Sequence, residues 1–322
     1  MVPGAITRRG FLQGGATALG LAALEAAPGG SRAAEGGGEP AARAGTFLLG
    51  GDLPVHRMGF GAMRITGPGI WGEPADPAAA RKLLRRAVDL GVNLLDTADA
   101  YGPEVSERLI QEALHPYPRG LVIATKGGLT RPARDRWDRD GRPEHLRRAC
   151  EASLRRLRLE RIDLYQLHSP DPKVPLADSV GELARLQREG KIRHVGVSNV
   201  DLGELRAARA VVQVVSVQNR YNVGDRRSDD VLRACAADGI AFLPWAPLAG
   251  REREAGRSAS LEALARVARS RGVTEVQAAL AWLLARSPSV LPIPGTSSMA
   301  HLEENVAAAA LRLTPEEMAR IG

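Results

Sequence analysis

The stretch DPAAARKLLRRAVDLGVNLLDTADAYG, Asp76–Gly102, contains the pattern that decides the fold. Aspartate followed by proline is typical of a helix start, with Asp76 as N-cap and Pro77 at the first helical position. Apolar residues then recur at helical spacing as far as Asp89, and the short apolar run VNLLD follows as a buried strand. The next segments, VSERLIQEAL and LVIATK, repeat the helix and the strand. The stretch therefore predicts helices and strands in alternation.

The same alternation runs from Thr46 to the end of the chain and amounts to eight strand–helix units, with no linker after residue 45. Such alternation indicates a parallel sheet, and eight units fit a (β/α)8 TIM barrel. The segment TFLLGGDLPVHRM predicts a preceding β-hairpin, and RMGFGAM predicts the first barrel strand. A doubly wound sheet is the alternative, but GFGAMR lacks its GxGxxG spacing. We expect an α/β TIM barrel with an N-terminal β-hairpin, a single domain over residues 44–322.

The composition excludes several classes of protein. Of 322 residues, 44 are basic and 37 acidic, which gives a formal charge of +7. Most arginines lie beside acidic residues on predicted helices, and no basic run is interleaved with aromatic residues, so we expect no nucleic-acid partner. Cys150 and Cys235 fall in predicted helices without CxxC spacing. This predicts two small buried side chains and no disulfide or metal site.

The N-terminus carries the pattern of an export signal. TRRGFLQ, Thr7–Gln13, places paired arginines before Phe and Leu, and a Gly- and Ala-rich apolar segment follows. This pattern predicts a twin-arginine signal cleaved after Ala33, and an ordinary amphipathic tail is the alternative. The apolar segment is too short and Gly-rich to span a membrane. We expect residues 1–43 to be signal and linker and the twin-arginine machinery to be a partner. The mature chain would then be periplasmic or extracellular, or cytoplasmic if the signal does not function.

Four ionisable residues of four types lie at or just after the ends of three neighbouring strands. Asp96 closes the second strand, Tyr101 follows it, Lys126 closes the third and His168 the fourth. In (β/α)8 barrels the active site lies at this end of the strands. Lysine occurs only at positions 82, 126, 173 and 191 of a chain rich in arginine. The grouping therefore favours a shared functional site over four independent structural roles.

This set of side chains suits the reduction of a carbonyl group. The tyrosine phenol has a reference pKa of about 10, and a nearby Lys126 is expected to lower it. Asp96 would hold Lys126 charged, His168 would donate a hydrogen bond to the substrate oxygen, and Tyr101 would protonate that oxygen. Because no side chain supplies a hydride, this chemistry requires a nicotinamide cofactor. Asp99 is expected to be loop scaffolding.

From residue 46 to residue 320 the chain resembles the aldo-keto reductase family. The resemblance rests on GFGAM, DTADAYG, ATK, QLH, GVSN, QNRYN, PWAPLAG and IPGTSSMAHLEEN, in this order and spacing. It implies an NAD(P)H-dependent oxidoreductase that acts on a small carbonyl substrate, with the catalytic tetrad Asp96, Tyr101, Lys126 and His168. The segments GPGIWGEP, YGPEVSERLIQEALHPY and IPGTSS look most like the microbial pyridoxal reductase branch, which implies reduction of pyridoxal to pyridoxine. Some members of that branch replace the histidine of the fourth strand, so His168 makes a general carbonyl reductase the alternative. We expect a monomer.

The resemblance also implies which residues bind the cofactor. The expected contacts are Gly61, Ala62 and Met63 after the first strand, Ser198, Asn199, Gln218 and Trp245 at the nicotinamide, Ala246, Pro247 and Leu248 at the pyrophosphate, and Gly295, Thr296, Ser297, Ser298, His301, Glu304 and Asn305 at the adenosine. Many relatives carry lysine in place of Gly295 and arginine in place of His301, and both cations serve the 2′-phosphate of NADP. Hydroxyl groups and a helix N-terminus could bind that phosphate instead. We expect NADPH, with NADH as the alternative.

Two other functions are compatible with a barrel. A glycoside hydrolase needs two opposed carboxylates at strand ends, and only Asp96 qualifies. A cofactor-binding sensor without turnover would keep the barrel but would not need the whole tetrad.

The Arg-rich segment Gly127–Arg142 is expected to be a solvated loop, with the binding of an anionic or aromatic substrate as the alternative. Trp71 and Trp137 are candidate pocket walls.

Overall fold

The computed structural model of the chain describes residues 39–248 and 258–322. They belong to one compact unit, Gly38–Gly322. The predicted twin-arginine motif lies outside the described residues. At the end of the predicted linker, Pro40–Ala44 forms a short 3-10 helix, and the Ala41 amide donates to Leu90 O at 2.9 Å. The end of the linker therefore packs on the barrel.

A parallel sheet of seven strands lies at the centre of the fold. Its strands, in spatial order, are β3 (Phe60–Gly61), β4 (Leu94–Asp96), β5 (Val122–Gly127), β8 (Ile162–Leu167), β9 (Ile192–Ser198), β10 (Val214–Gln218) and β11 (Ala241–Phe242). The spatial order equals the chain order, as expected when each strand returns through a helix to the next position. The first strand is shorter than predicted, because Ala62–Ile65 turns into a 3-10 helix.

Residues 290–294 fill the eighth position of the barrel without forming a regular strand. Leu291 donates its amide to Phe242 O at 2.9 Å on one side, and Gly59 donates to Pro292 O at 3.0 Å on the other. Pro292 and Pro294 lack the amide proton that a regular ladder would use. The segment therefore closes the sheet on both edges, and the predicted TIM barrel is confirmed.

The helices surround this barrel. They are α1 (Pro77–Asp89), α2 (Val105–Leu114), α3 (Pro143–Leu157), α4 (Leu176–Arg188), α5 (Leu202–Arg209), α6 (Asp229–Ala237), α7 (Ala259–Arg271), α8 (Glu275–Arg286), α9 (Met299–Ala307) and α10 (Pro315–Ile321). The predicted start of α1 is confirmed, since Asp76 Oδ1 accepts a hydrogen bond from Ala79 N at 2.9 Å. Cys150 and Cys235 are buried and free, as the sequence predicts.

Two β-hairpins lie outside the barrel sheet. The predicted N-terminal hairpin, β1 (Thr46–Leu49) with β2 (Leu53–His56), packs Leu49 and Val55 against the apolar interior of the barrel. The second hairpin, β6 (Leu129–Ala133) with β7 (Arg136–Arg139), stands where a loop was expected after the third barrel strand, and most of its residues are exposed to solvent as expected. It carries Trp137 to the mouth of the barrel.

Candidate active site

A buried ion pair joins the ends of β4 and β5. Lys126 is fully buried, and its Nζ lies 2.7 Å from Asp96 Oδ1. The same ammonium donates to Thr97 O at 2.8 Å. The second carboxylate oxygen, Oδ2, accepts from Gln166 Nε2 at 3.2 Å and from Gln218 Nε2 at 2.8 Å. Both charges are thus paired or hydrogen-bonded, which a buried ion pair requires.

The ion pair keeps the lysine charged beside a buried phenol. Burial disfavours the ammonium, but Asp96 and Tyr101 outweigh that effect and raise the pKa of Lys126. The Tyr101 hydroxyl lies 3.5 Å from Lys126 Nζ. Burial raises the pKa of Tyr101, and Lys126 offsets only part of that rise. Lys126 therefore lowers the tyrosine pKa as expected, but desolvation is the larger effect and leaves the pKa above its ordinary value.

His168 lies next to the tyrosine in its neutral form. Its ring meets the Tyr101 ring edge to face, with 5.7 Å between centroids. Burial, together with the charge of Lys126, holds the pKa of His168 well below its ordinary value. Its Nδ1 is buried and has no hydrogen-bond partner among the residues described. A neutral imidazole carries one N–H donor, so His168, which lies at a cavity wall beside the phenol, can hydrogen-bond a ligand oxygen.

Asp99 lies apart from this ion pair. Its backbone oxygen accepts from Glu104 N at 2.7 Å, and its amide donates to Lys126 O at 3.4 Å. Burial, followed by the nearby Glu107 carboxylate, raises the pKa of Asp99 well above its ordinary value. These backbone contacts agree with the interpretation of Asp99 as loop scaffolding.

A cavity of about 360 Å³ opens beside the tyrosine and the histidine. Its walls contain thirteen of the predicted residues: Gly61, Met63, Asp96, Tyr101, His168, Ser198, Asn199, Gln218, Trp245, Ala246, Pro247, Leu248 and Gly295. Trp137 is a further wall residue, as proposed from the sequence, whereas Trp71 packs outside the cavity. Sequence reasoning missed three wall residues: Arg64, Ile293 and Pro294.

The remaining predicted residues lie away from these walls. Lys126 is buried behind Tyr101, and the others are Ala62, Thr296, Ser297, Ser298, His301, Glu304 and Asn305. Ser298 caps α9, where its Oγ accepts from His301 N at 3.4 Å, and Thr296 Oγ1 accepts from Ser298 N at 3.0 Å. A role for residues 296–305 in binding adenosine stays a prediction.

The packing around Gly295 explains why this chain has glycine where many relatives carry lysine. A Cβ atom at this position would lie 2.5 Å from Gly61 O, so a larger residue would force the two segments apart. The same Cβ would lie 3.5 Å from Arg64 Cγ. Arg64 is exposed at the cavity and follows GFGAM directly in the sequence, which is the signal that could have identified it. The cavity therefore has a cation beside Gly295.

The far wall of the cavity is held in a constrained backbone. Asn199 and Ala246 have φ values of 58° and 48°, the left-handed region that is unusual for alanine. Asn199 Nδ2 donates to His168 O at 3.0 Å, and Trp245 Nε1 donates to Asn199 Oδ1 at 3.0 Å. Such backbone geometry is common where a site is preorganised for a ligand.

The Aldo/keto reductase family model matches residues 57–322. The chain belongs to the aldo/keto reductase family. It is therefore an NAD(P)H-dependent oxidoreductase, as predicted. Asp96 is the one acidic residue among the cavity walls described, which disfavours a glycoside hydrolase.

Two curated relatives and one solved structure extend this assignment. An uncharacterised oxidoreductase of Schizosaccharomyces pombe is 48% identical over 90% of this chain and 93% of its own length. The pyridoxine 4-dehydrogenase of Escherichia coli is 42% identical over 86% of this chain and 96% of its own length. An aldo/keto reductase from Klebsiella pneumoniae, solved with NADP and acetate, has a TM-score of 0.72 and 28% identity over 86% of this chain and 93% of that chain.

Two kinds of feature, a membrane-spanning helix and a metal-binding cluster, were sought among the described residues and not found. Within residues 39–248 and 258–322, no helix is long and apolar enough to cross a membrane. In the same part of the chain, no group of three or more histidine, cysteine or acidic residues is arranged to hold a metal ion.

Proposed function

We propose that the protein reduces an aldehyde or ketone to an alcohol, with NADPH as the hydride donor and Tyr101 as the general acid. The observation that carries this proposal is the tyrosine hydroxyl at a cavity wall, 3.5 Å from a lysine ammonium that a buried aspartate holds in place. This arrangement offers a proton donor together with a fixed positive charge.

Each of the four residues has a separate role in the proposed carbonyl reduction. NADPH, held by the walls that contain Ser198, Asn199, Gln218 and Trp245, would supply a hydride to the carbonyl carbon. As the carbonyl oxygen gains negative charge, the neutral Tyr101 phenol transfers its proton to that oxygen. The resulting phenolate lies beside the Lys126 ammonium, which stabilises it. The neutral His168 imidazole donates a hydrogen bond that orients the carbonyl oxygen. Asp96 keeps Lys126 charged and in position.

The cavity fits a nicotinamide cofactor. Its walls contain the polar side chains of Ser198, Asn199 and Gln218 and the broad ring of Trp245. The related structure from Klebsiella pneumoniae contains NADP. Arg64 adds a cation beside Gly295, the position at which the family resemblance implies lysine in many relatives. These observations support NADPH over NADH, and a comparison of kcat/KM for the two cofactors tests it. Comparable values would contradict the NADPH preference.

Pyridoxal is the specific substrate that we propose. The support is the 42% identity with the pyridoxine 4-dehydrogenase of Escherichia coli over almost the whole length of that enzyme. The test is NADPH oxidation with pyridoxal, methylglyoxal, sugars and aromatic aldehydes at equal concentrations. We expect pyridoxal to give the highest kcat/KM. A higher value for another aldehyde would move the assignment to that substrate, and no oxidation with any of them would contradict the reductase proposal.

We also propose that the protein is exported by the twin-arginine route. The motif TRRGFLQ supports this proposal, and it lies outside the described residues. The route carries folded proteins, which suits an enzyme that binds its cofactor before transport. Cell fractionation of the full chain tests export, with replacement of both Arg8 and Arg9 by lysine as the comparison. Unprocessed protein found only in the cytosol, with or without the replacements, would contradict it.

A further inference from the structure

Arg131 lies between two tryptophans at the mouth of the active-site cavity. Its guanidinium carbon is 3.8 Å from the centroid of the Trp137 ring and 5.4 Å from that of Trp71. Arg131 is buried, although the second hairpin around it consists mostly of exposed residues. A planar guanidinium can stack on indole rings in a way that a lysine ammonium cannot.

The same guanidinium ties three segments of the chain together. Nη1 donates to Ile70 O at 2.9 Å and to Ala100 O at 3.4 Å, and Nη2 donates to Gly69 O at 3.2 Å and to Arg134 O. Ala100 immediately precedes the catalytic tyrosine. Arg131 therefore links the hairpin tip to the loop of residues 67–72 and to the turn that carries the general acid.

Among Trp71, Arg131 and Trp137, the side chain of Trp137 is the one that presents an exposed apolar surface. Three large hydrophobic side chains are exposed in the described part of the chain: Leu48, Trp137 and Val211. Trp137, which is 38% exposed, is the one of these three that lines the cavity, together with Tyr101 and His168. A large aromatic ring that stays exposed beside a cavity indicates contact with a ligand.

We propose that Arg131 is a positioning residue that fixes Trp137 as a wall of the substrate cavity, and that this wall favours planar aromatic aldehydes over small aliphatic ones. The inference rests on the proposed aldehyde reduction, because the wall acts on the substrate of that reaction. The flat indole offers a stacking surface to an aromatic ring and little to a short alkyl chain. Met63, Leu248 and Ile293 add further apolar surface to the same cavity.

Steady-state NADPH oxidation with benzaldehyde and with propanal tests this inference through the ratio of their kcat/KM values. We expect Trp137→Ala to lower the ratio by roughly three- to tenfold, as loss of one aromatic contact implies, mainly by raising KM for benzaldehyde. Trp137→Phe should recover most of the ratio.

Arg131→Lys should lower the ratio in the same direction, because the ammonium keeps the charge but not the planar contact. Arg139→Ala, on the exposed side of the same hairpin, is the matched control and should leave the ratio unchanged.

The ratio separates positioning from a general loss of structure. A merely structural role for Arg131 would reduce kcat/KM for both aldehydes equally and leave the ratio unchanged. An unchanged ratio in Trp137→Ala would overturn the aromatic wall, and a fall in Trp137→Ala without one in Arg131→Lys would overturn the positioning role. If the unmodified enzyme oxidises NADPH with neither these nor any other aldehyde, the proposed function fails and takes this inference with it. That result is distinct from an unchanged ratio.

Discussion

Replacement of Lys126 by methionine removes the cation that neutralises Asp96 at the mouth of the barrel. Methionine has a similar length and keeps most of the apolar contacts of the lysine stem, so the lost charge is the main change. In the variant, the Asp96 carboxylate stays buried with only two amide donors, from Gln166 and Gln218. We therefore expect a large loss of stability as well as of activity.

The structure indicates the size of that loss. The side chains of Lys126 and Asp96 are 0% and 3% exposed, and their charged atoms lie 2.7 Å apart. Removing one partner of such a buried pair costs about 3–5 kcal/mol of the free energy of unfolding, because the other charge is left uncompensated. The two remaining amide donors place the expected loss at the lower end, about 3 kcal/mol.

Urea unfolding at neutral pH, followed by circular dichroism, measures this loss. The set of variants is Lys126→Met, Asp96→Asn and the double variant, which together give a double-mutant cycle. The double variant removes both charges, so it should lose less stability than the two single losses added together. Lys82→Met is the matched control, because Lys82 is exposed on α1 and its replacement should change stability by less than about 0.5 kcal/mol.

The outcome that refutes this reasoning is a Lys126→Met variant as stable as Lys82→Met. A double variant that loses the full sum of the two single losses would also refute it, since it would mean that the two side chains do not interact energetically.

Three further predictions follow from the pKa shifts. Burial raises the pKa of Asp99 above its unfolded value, so stability falls as pH rises from the unfolded-state pKa to the folded-state pKa; Asp99→Asn should raise the melting temperature at pH values above the unfolded-state pKa and flatten its pH dependence, and an unchanged or lower melting temperature would contradict this. The pKa of His168 is lowered, so stability should fall as pH drops below about 6.5, by up to about 1.4 kcal/mol per pH unit, and His168→Gln should remove that slope in urea unfolding. The pKa of Tyr101 is raised, so the rate of reduction should show no loss from tyrosine ionisation up to pH 10.0, whereas a fall centred near neutral pH would contradict the buried, protonated phenol.

The barrel and the proximity of Asp96, Tyr101, Lys126 and His168 could be predicted because both depend on local patterns. Strand–helix alternation is visible in short windows of sequence, and in a barrel the ends of neighbouring strands converge on one face. Asp96, Lys126 and His168 each close or follow a predicted strand, so their proximity follows from the fold. The other cavity walls that were predicted follow from the resemblance to the aldo-keto reductases and not from this pattern.

The features that could not be predicted depend on contacts between distant segments. The pKa of Tyr101 reflects how deeply the phenol is buried, which the spacing of residues does not reveal. The second hairpin carries charged residues on both faces and lacks the alternation that marks a half-buried strand. The burial of Arg131 depends on carbonyl groups 31 to 62 positions earlier in the chain. No local pattern distinguishes it from the surrounding exposed arginines.

The general-acid role of Tyr101 is tested most directly by the Tyr101→Phe variant. The phenyl ring fills the same space, so binding of NADPH, measured by fluorescence titration, should change by less than about threefold. Single-turnover oxidation of bound NADPH by an accepted aldehyde should slow by about 10²- to 10⁴-fold, the usual contribution of a positioned general acid. A Tyr101→Phe enzyme that binds NADPH normally and reduces the aldehyde within about tenfold of the unmodified rate would contradict the role of Tyr101 as the proton donor.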